Sequence, residues 1–492
     1  MRINGNRALA LTLLLFTLAA AGTSHGQTLS VLYDLGTRAL DPANPGWIGS
    51  IAQGWDGNLY STSTAGGVAG NGTVFRVTPE GKLNVMYDFC SQPSCTDGTV
   101  PRGGLTLGYD GNFYGTTYGG GTSSGLGTVF RITPSKVYTV LHSFGEGDSD
   151  GGNPQSAPTQ GDAGVLYGAT AFGGASCGVI YTITLPTGAY SVLYEFAATS
   201  PSDGCFPVAS PIVASDGNIY GTATTGGTSN DGVVYRITPS GKETIVYNFD
   251  GVHGSQPWGP LVQGNDGNFY GTTLLGGTSN QGVIFKVTPA GAVTVLHSFN
   301  GTTDGGYVYA GLVQATDGNF YGVAQQGGNA SSLCQGGPPS GTCGTLFKVT
   351  PGGDFSVIYD FDGTHGFSAL VTPFQHTNGL IYGDTFYGGT GKNCLGDRGT
   401  DLCGVVYQWD DSLPAFVSLS PYRGNPGRQV EFIGQGFTST TTVSFNGVAA
   451  TPTIVSGTHL VTRVPTGATT GFVTVTTSSG TLTSNQPFTV TP

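Results

Sequence analysis

The sequence predicts an all-β protein: a seven-bladed β-propeller closed by its own N-terminal strand, followed by an immunoglobulin-like β-sandwich. Three observations predict it. One pattern recurs seven times at a near-constant period. Each copy contains four strand-like runs. The last copy lacks its fourth run, and a run of that type stands alone near the start of the chain.

The repeat is anchored by D-G-N-φ-Y, where φ is apolar. It occurs as Asp56–Tyr60, Asp110–Tyr114, Asp216–Tyr220, Asp266–Tyr270 and Asp317–Tyr321, with looser copies ending at Tyr167 and Tyr382. The spacings between these tyrosines are 54, 53, 53, 50, 51 and 61 residues. A fixed period of this size marks a stacked or radial array.

Residues 259 to 299 give the pattern within one copy. Pro260–Gly264 is a first strand, and Asp266-Gly267 a tight turn, because Gly tolerates positive φ and Asp bonds its own backbone. Asn268–Leu275, Val283–Thr288 and Val293–Phe299 supply the other three strands. The third strands recur as VFRV, VFRI, VIYTI, VVYRI, VIFKV, TLFKV and VVYQW, apolar on both faces, as strands packed between neighbouring sheets must be. After Val405–Trp409 no V-L-Y-x-F run follows, yet Val31-Leu32-Tyr33-Asp34-Leu35 sits alone at the start. Pairing that strand with the last copy removes the free sheet edges.

Composition agrees. Gly contributes 85 of 492 residues, but the glycines punctuate runs rich in Val, Ile, Phe, Tyr and Thr, which suit strands rather than disorder. The net charge of −12, with scattered basic residues, argues against nucleic acid as a partner. Arg2 and Arg7 followed by apolar Ala8 to Ala21 read as a secretory signal over residues 1–26. The expected product is a secreted monomer with no membrane insertion, divided into a propeller over 27–411 and a sandwich over 412–492.

The D-G-N-F-Y-G-T-T…G-G…G-x-V-F-x-I-T-P-x-G pattern resembles the GloVer tandem repeat of bacterial exported proteins. That resemblance implies export and placement at the surface or outside the cell, and it brings no catalytic residue. Ser418-Leu419-Ser420-Pro421, Gly434-Gln435-Gly436-Phe437, Val443–Gly447 and Val464-Pro465 resemble the IPT/TIG immunoglobulin-like domain, which implies a spacer or interaction module.

Eight cysteines in an exported chain suggest disulfides. Pairing neighbours gives Cys90 with Cys95, Cys177 with Cys205, Cys334 with Cys343, and Cys394 with Cys403. All eight then lie in loops of one face, the face with the longest insertions. No C-x₂-C spacing favours zinc.

The same face carries the candidate site. Asp41, Asp97, Asp150, Asp203 and Asp304 recur in the between-blade loops, and an acidic mouth would suit calcium or a hydroxyl-rich ligand. The plainer reading is that Asp-Gly makes turns. Trp47, Phe206, Trp258, Tyr307, Tyr309 and Phe367 lie in the same loops, where aromatic faces suit sugar rings or simply plug the channel. His142 and His297 occupy the slot of Tyr87, Tyr194, Tyr247 and Tyr359, a packing position. Gly121–Gly125 matches G-x-S-x-G but lacks the strand-to-helix elbow of a hydrolase. No cofactor is indicated, calcium being the one cation that the acidic loops would suit, and no catalytic residue. The sequence thus points to a non-enzymatic binding or scaffold protein whose ligand is a polysaccharide or a cell-surface protein. A propeller lyase or hydrolase acting on an extracellular glycan or cyclic compound is the alternative.

Overall fold

A computed structural model describes residues 27–122, 124–147, 149–161, 164–197, 203–334, 341–394 and 403–492. The expected signal segment, Ser123 of the G-x-S-x-G string and Asp162 of a loose repeat copy lie outside the described residues.

Among the described residues the repeats form seven antiparallel sheets of four or five strands, with two further two-stranded pairs, Gly151–Gly152 with Phe172–Gly173 and Gly204–Cys205 with Thr225–Gly226. The fifth, Val262–Gln263, Phe269–Thr272, Val283–Val287 and Val293–Ser298, is representative. Its first strand is shorter than Pro260–Gly264 because Pro260 has no N–H to give and Gly264 already belongs to the turn, donating to Asn268 O at 2.8 Å. In that turn Asp266 Oδ1 accepts the Asn268 N–H, and Oδ2 accepts both the Asn268 amide and the Tyr270 hydroxyl at 2.8 Å. The D-G-N-φ-Y motif is therefore one hydrogen-bonded unit, repeated at Asp56, Asp110, Asp216 and Asp317. In the seventh copy Asn378 takes the place of the acid and donates to Tyr382 Oη at 3.0 Å.

The seventh sheet is built from both ends of the repeat region. Thr28–Asp34 pairs antiparallel with Val405–Asp410, Val31 opposite Tyr407 and Asp34 opposite Val405. Asp34 also accepts the backbone N–H of Thr390 at 2.8 Å.

Every sheet carries a bulge between its third and fourth strands, in each case skipping one apolar residue: Leu32, Met86, Leu141, Leu193, Val246, Leu296 or Ile358. A bulge changes which face the next side chain takes. The bulge carbonyl meets the turn of the adjacent sheet. A Cβ on Gly241 would lie 2.7 Å from Leu193 O, one on Gly291 2.4 Å from Val246 O, and one on Gly81 2.5 Å from Leu32 O. The last contact joins the seventh sheet to the first in the same way that earlier sheets join their successors.

Inner strands are joined by glutamines. Gln160, Gln263, Gln314 and Gln375 each accept a backbone N–H from the preceding sheet, from Tyr109, Ser215, Asn265 and Thr316. Gln53 does the same for Thr377 of the seventh sheet.

The C-terminal residues form two packed four-stranded sheets and a two-stranded parallel pair, Arg423–Gly424 with Thr489–Val490. One sheet is Ser418–Ser420, Gln429–Ile433, His459–Arg463 and Thr453–Ile454. The other is Val448–Ala450, Thr442–Phe445, Val473–Thr477 and Gly480–Thr483. Phe432, Phe445, Val475 and Phe488 fill the space between them without any cysteine. This module lies against the D-G-N turns. Trp55 stacks on His459 with centroids 4.3 Å apart, Thr458 Oγ1 donates to Trp55 O, and Gln435 donates to Thr377 Oγ1. The connecting Asp411 is buried and held by Lys348 at 3.0 Å and by the Tyr321 hydroxyl.

Candidate functional site

The four disulfides join Cys90 to Cys95, Cys177 to Cys205, Cys334 to Cys343 and Cys394 to Cys403, leaving no free cysteine among the described residues. The second links the third sheet to the segment entering the fourth. They lie at the ends of the sheets remote from the D-G-N turns. With the C-terminal module on the turn side, this cysteine-bearing side is where the candidate residues must be sought.

The acidic loops do not build a mouth. Each carboxylate turns back to a Tyr or His that its own sheet places just beyond the bulge. Tyr33 donates to Asp41 at 2.9 Å, Tyr87 to Asp97 at 2.8 Å, and Tyr194 to Asp203 at 3.2 Å. His142 Nε2 lies 3.2 Å from Asp150, and His297 Nε2 2.9 Å from Asp304. The same carboxylates accept loop N–H groups, for example Asp97 from Ser91 and Asp150 from Gly145. Burial alone would raise the Asp150 carboxyl, but bonds from His142, Tyr190 and the backbone outweigh it and hold it down to about 2. Burial and the Asp97 carboxylate push the Tyr87 hydroxyl up to about 12, although the Ser91 contact opposes them. Asp97, Asp150, Asp203 and Asp304 are therefore loop buckles. Among the described residues no three His, Cys, Asp or Glu side chains are grouped where they could hold a metal ion.

Two acids depart from this pattern. Glu243 stands at the start of its outer strand, where Tyr138 and Phe355 stack on Tyr87 and His297 in other sheets. Burial, then the nearby Asp203, push its carboxyl up to about 7. Asp384 is fully buried where other repeats have Thr116 or Thr272, which donate to Ser156 O and Ala310 O of the next sheet. Burial raises its carboxyl well above the usual range.

The aromatic candidates divide. Phe367 is buried against Tyr387 and the core around Cys334 and Cys343, because its strand-like segment turns inward; it has no surface to offer. Phe206 and Trp258 pack with Ile48, Ala171 and Val208, contributed by segments of four different repeats, and so form an apolar plug. Trp258 also meets Tyr309 edge-on at 5.5 Å. Tyr307 is half-buried and sits at φ 51°, its N–H donating to Gln281 O of the preceding sheet. Trp47 differs, with 38% of its surface exposed. Its ring meets the edge of Phe386 at 5.7 Å and lies 5.3 Å from the Arg102 guanidinium. That guanidinium stacks 3.6 Å above Tyr118, with Gln155 Oε1 at 3.5 Å from Nη1. Gly46 permits this approach, since a Cβ there would come within 2.3 Å of Arg102 O. Arg102, Tyr118 and Gln155 were not legible as site residues. Their only sequence signal is position: Arg102 and Gln155 each directly follow a Pro in equivalent segments.

Sheets, bridges and C-terminal module together define an all-β tandem-repeat protein with an immunoglobulin-like domain at its C-terminal end. The chain belongs to the Gloeobacter/Verrucomicrobia repeat family, whose model matches residues 15–177 and 155–396, and an IPT/TIG domain matches residues 414–490. Among solved structures it is similar to a fungal alcohol oxidase of the AA5 family in complex with copper. The two are 16% identical, the match covers 92% of this chain and 98% of that one, and the TM-score is 0.50; the likeness is one of fold. An oligogalacturonate lyase from Vibrio parahaemolyticus is 11% identical over 79% of this chain and 98% of its own, with TM-score 0.44. A gluconolactonase from Xanthomonas campestris is 10% identical over 60% and 85%, with TM-score 0.36. No curated protein matches the sequence.

Proposed function

We propose that the chain is an exported binding or scaffold protein, not an enzyme, and that it holds a hydroxyl-rich glycan on the cysteine-bearing side of a seven-bladed β-propeller. The ring reading is supported by the pairing of Thr28–Asp34 with Val405–Asp410, and by contacts from the seventh sheet to the first that repeat those between other neighbours. On this reading residues 27–411 form the propeller and 412–492 the sandwich. Four disulfides support passage into an oxidising compartment after removal of residues 1–26. No helix among the described residues is long and apolar enough to cross a membrane.

The observation that carries the binding reading is Trp47. An exposed indole ranked beside an aromatic-stacked guanidinium offers an apolar face for sugar C–H groups and donors for hydroxyl or carboxylate oxygens. The neighbouring plug leaves this as a surface platform rather than a deep cleft, which suits a polymer passing across it. A glycan array with the whole chain tests the reading. At least one glycan should bind, and Trp47→Ala and Arg102→Ala should each weaken it by about tenfold. Absence of any glycan signal, or binding indifferent to both variants, would overturn it. A calcium titration read by melting temperature should give no shift.

A further inference from the structure

The platform beside Trp47 carries a cation that the chain does not match with an anion of its own. Building on the platform reading, we infer that the ligand is an acidic glycan, held with a uronate carboxylate on the Arg102 guanidinium and a sugar face on the Trp47 indole.

Every contact of that guanidinium is neutral. It stacks 3.6 Å above the Tyr118 ring and lies 5.3 Å from the Trp47 ring, and Gln155 Oε1 stands 3.5 Å from Nη1, at the long limit of a hydrogen bond. Its Nε is buried without a hydrogen-bond partner. Other cations of the repeats are matched: Arg76 lies 3.6 Å from Asp56, Lys286 2.8 Å from Asp266, and Lys348 3.0 Å from Asp411. The contrast counts in a chain with 29 acidic and 17 basic residues. Burial lowers the affinity of Arg102 for its proton, and Tyr118 opposes that shift without a carboxylate's help.

The acids on the same side are engaged within their own loops. Asp41 accepts from the Tyr33 hydroxyl and the Arg38 N–H, and Asp97 from Tyr87 and Ser91. Asp150 accepts the Gly145 N–H and faces His142. The carboxylate that completes Arg102 therefore comes from outside the chain.

Uronates meet both demands of the platform. Their C–H faces suit an indole, and Trp47 is 38% exposed with its ring set against Phe386. Their planar carboxylates take two parallel hydrogen bonds from a guanidinium, whose plane the Tyr118 ring already fixes. A neutral sugar covering Arg102 would strip it of water and return no charge, which costs affinity.

Isothermal titration of the full chain tests this with alginate, polygalacturonate and hyaluronate, each beside its carboxyl-reduced form. The net charge of −12 repels a polyanion at long range. Titration at about 0.15 M salt screens that repulsion beyond about 8 Å and leaves the direct contact. At least one acidic polymer should bind about tenfold or more tighter than its reduced form. Arg102→Gln should abolish that preference, and Arg102→Lys, a point charge without the fork, should keep only part of it. Gln155→Glu puts a carboxylate beside Nη1 and should abolish the preference with Arg102 in place; it decides the matter if Arg102→Gln does not fold. Trp47→Ala should weaken the acidic polymer yet keep its lead over the reduced one. Acidic and reduced forms bound alike, or neutral glycans alone bound, would overturn the acidic assignment and leave the platform standing. A preference that survives Arg102→Gln would overturn it too, and binding of no glycan at all would remove both.

Discussion

Gln53 and Thr377 exchange two hydrogen bonds: the Thr377 N–H donates to Gln53 Oε1 at 3.1 Å, and Gln53 Nε2 donates to Thr377 Oγ1 at 2.8 Å. One residue opens the first sheet and the other follows the first strand of the seventh, so the earliest and latest repeats meet here. Both residues are buried.

Gln53→Leu should therefore cost more than a surface change. It leaves the Thr377 N–H buried without its acceptor, a penalty of about 1–3 kcal/mol. Urea unfolding should give a lowered midpoint with an unchanged slope. A midpoint equal to the parent's would mean the contact carries no load.

Glu243 sets a pH dependence. Its folded-state carboxyl, pushed up to about 7 by burial and then by Asp203, holds a proton that the unfolded chain, with an ordinary value of 4.5, releases. Between those values the native state binds more protons, so this group lowers stability as pH rises through the window and has no further effect above it. Glu243→Gln should match the parent near pH 4 and exceed it by roughly 1–3 kcal/mol at pH 8. Urea midpoints at the two pH values measure the difference; a gain independent of pH would contradict the assignment.

Trp55 fastens the C-terminal domain to the repeats through its stack on His459. An aromatic pair of this kind contributes about 0.5–1.5 kcal/mol beyond its buried area. Trp55→Ala should loosen the junction while leaving both halves folded. Limited proteolysis should then cut faster in the segment from Ser412 to Ala415, and equal rates in parent and variant would rule the stack out as a fastener.

Much of this arrangement could be read from residue order. Asp266-Gly267-Asn268 announces its turn because Asp and Gly are the residues such turns need, and the orphan Val31–Leu35 announces its partner because Val405–Trp409 lacks one. The cysteine pairs follow from nearness within single loops or across one between-sheet segment. The Tyr–Asp and His–Asp pairs were hidden for a definite reason. A strand alternates sides strictly unless a bulge intervenes, and skipping Met86 or Leu141 turns Tyr87 or His142 toward Asp97 or Asp150, which in sequence look only like turn formers. The glutamine links were hidden because Gln53 and Gln263 read as ordinary polar strand ends. The Trp47–Arg102–Tyr118 platform was half visible, since Trp47 stood out as a loop aromatic, but Arg102 reaches it only through packing between two repeats.

Closure of the proposed ring is tested most directly by a cross-link across the strand pair that would effect it. Ser30 lies opposite Gln408 in the register of Thr28–Asp34 against Val405–Asp410. Thiols introduced by Ser30→Cys and Gln408→Cys, oxidised in the purified chain and mapped without reduction, should form a bridge within the monomer and leave the four native disulfides intact. A folded chain whose new thiols stay free, or join only between molecules, would contradict the closed propeller.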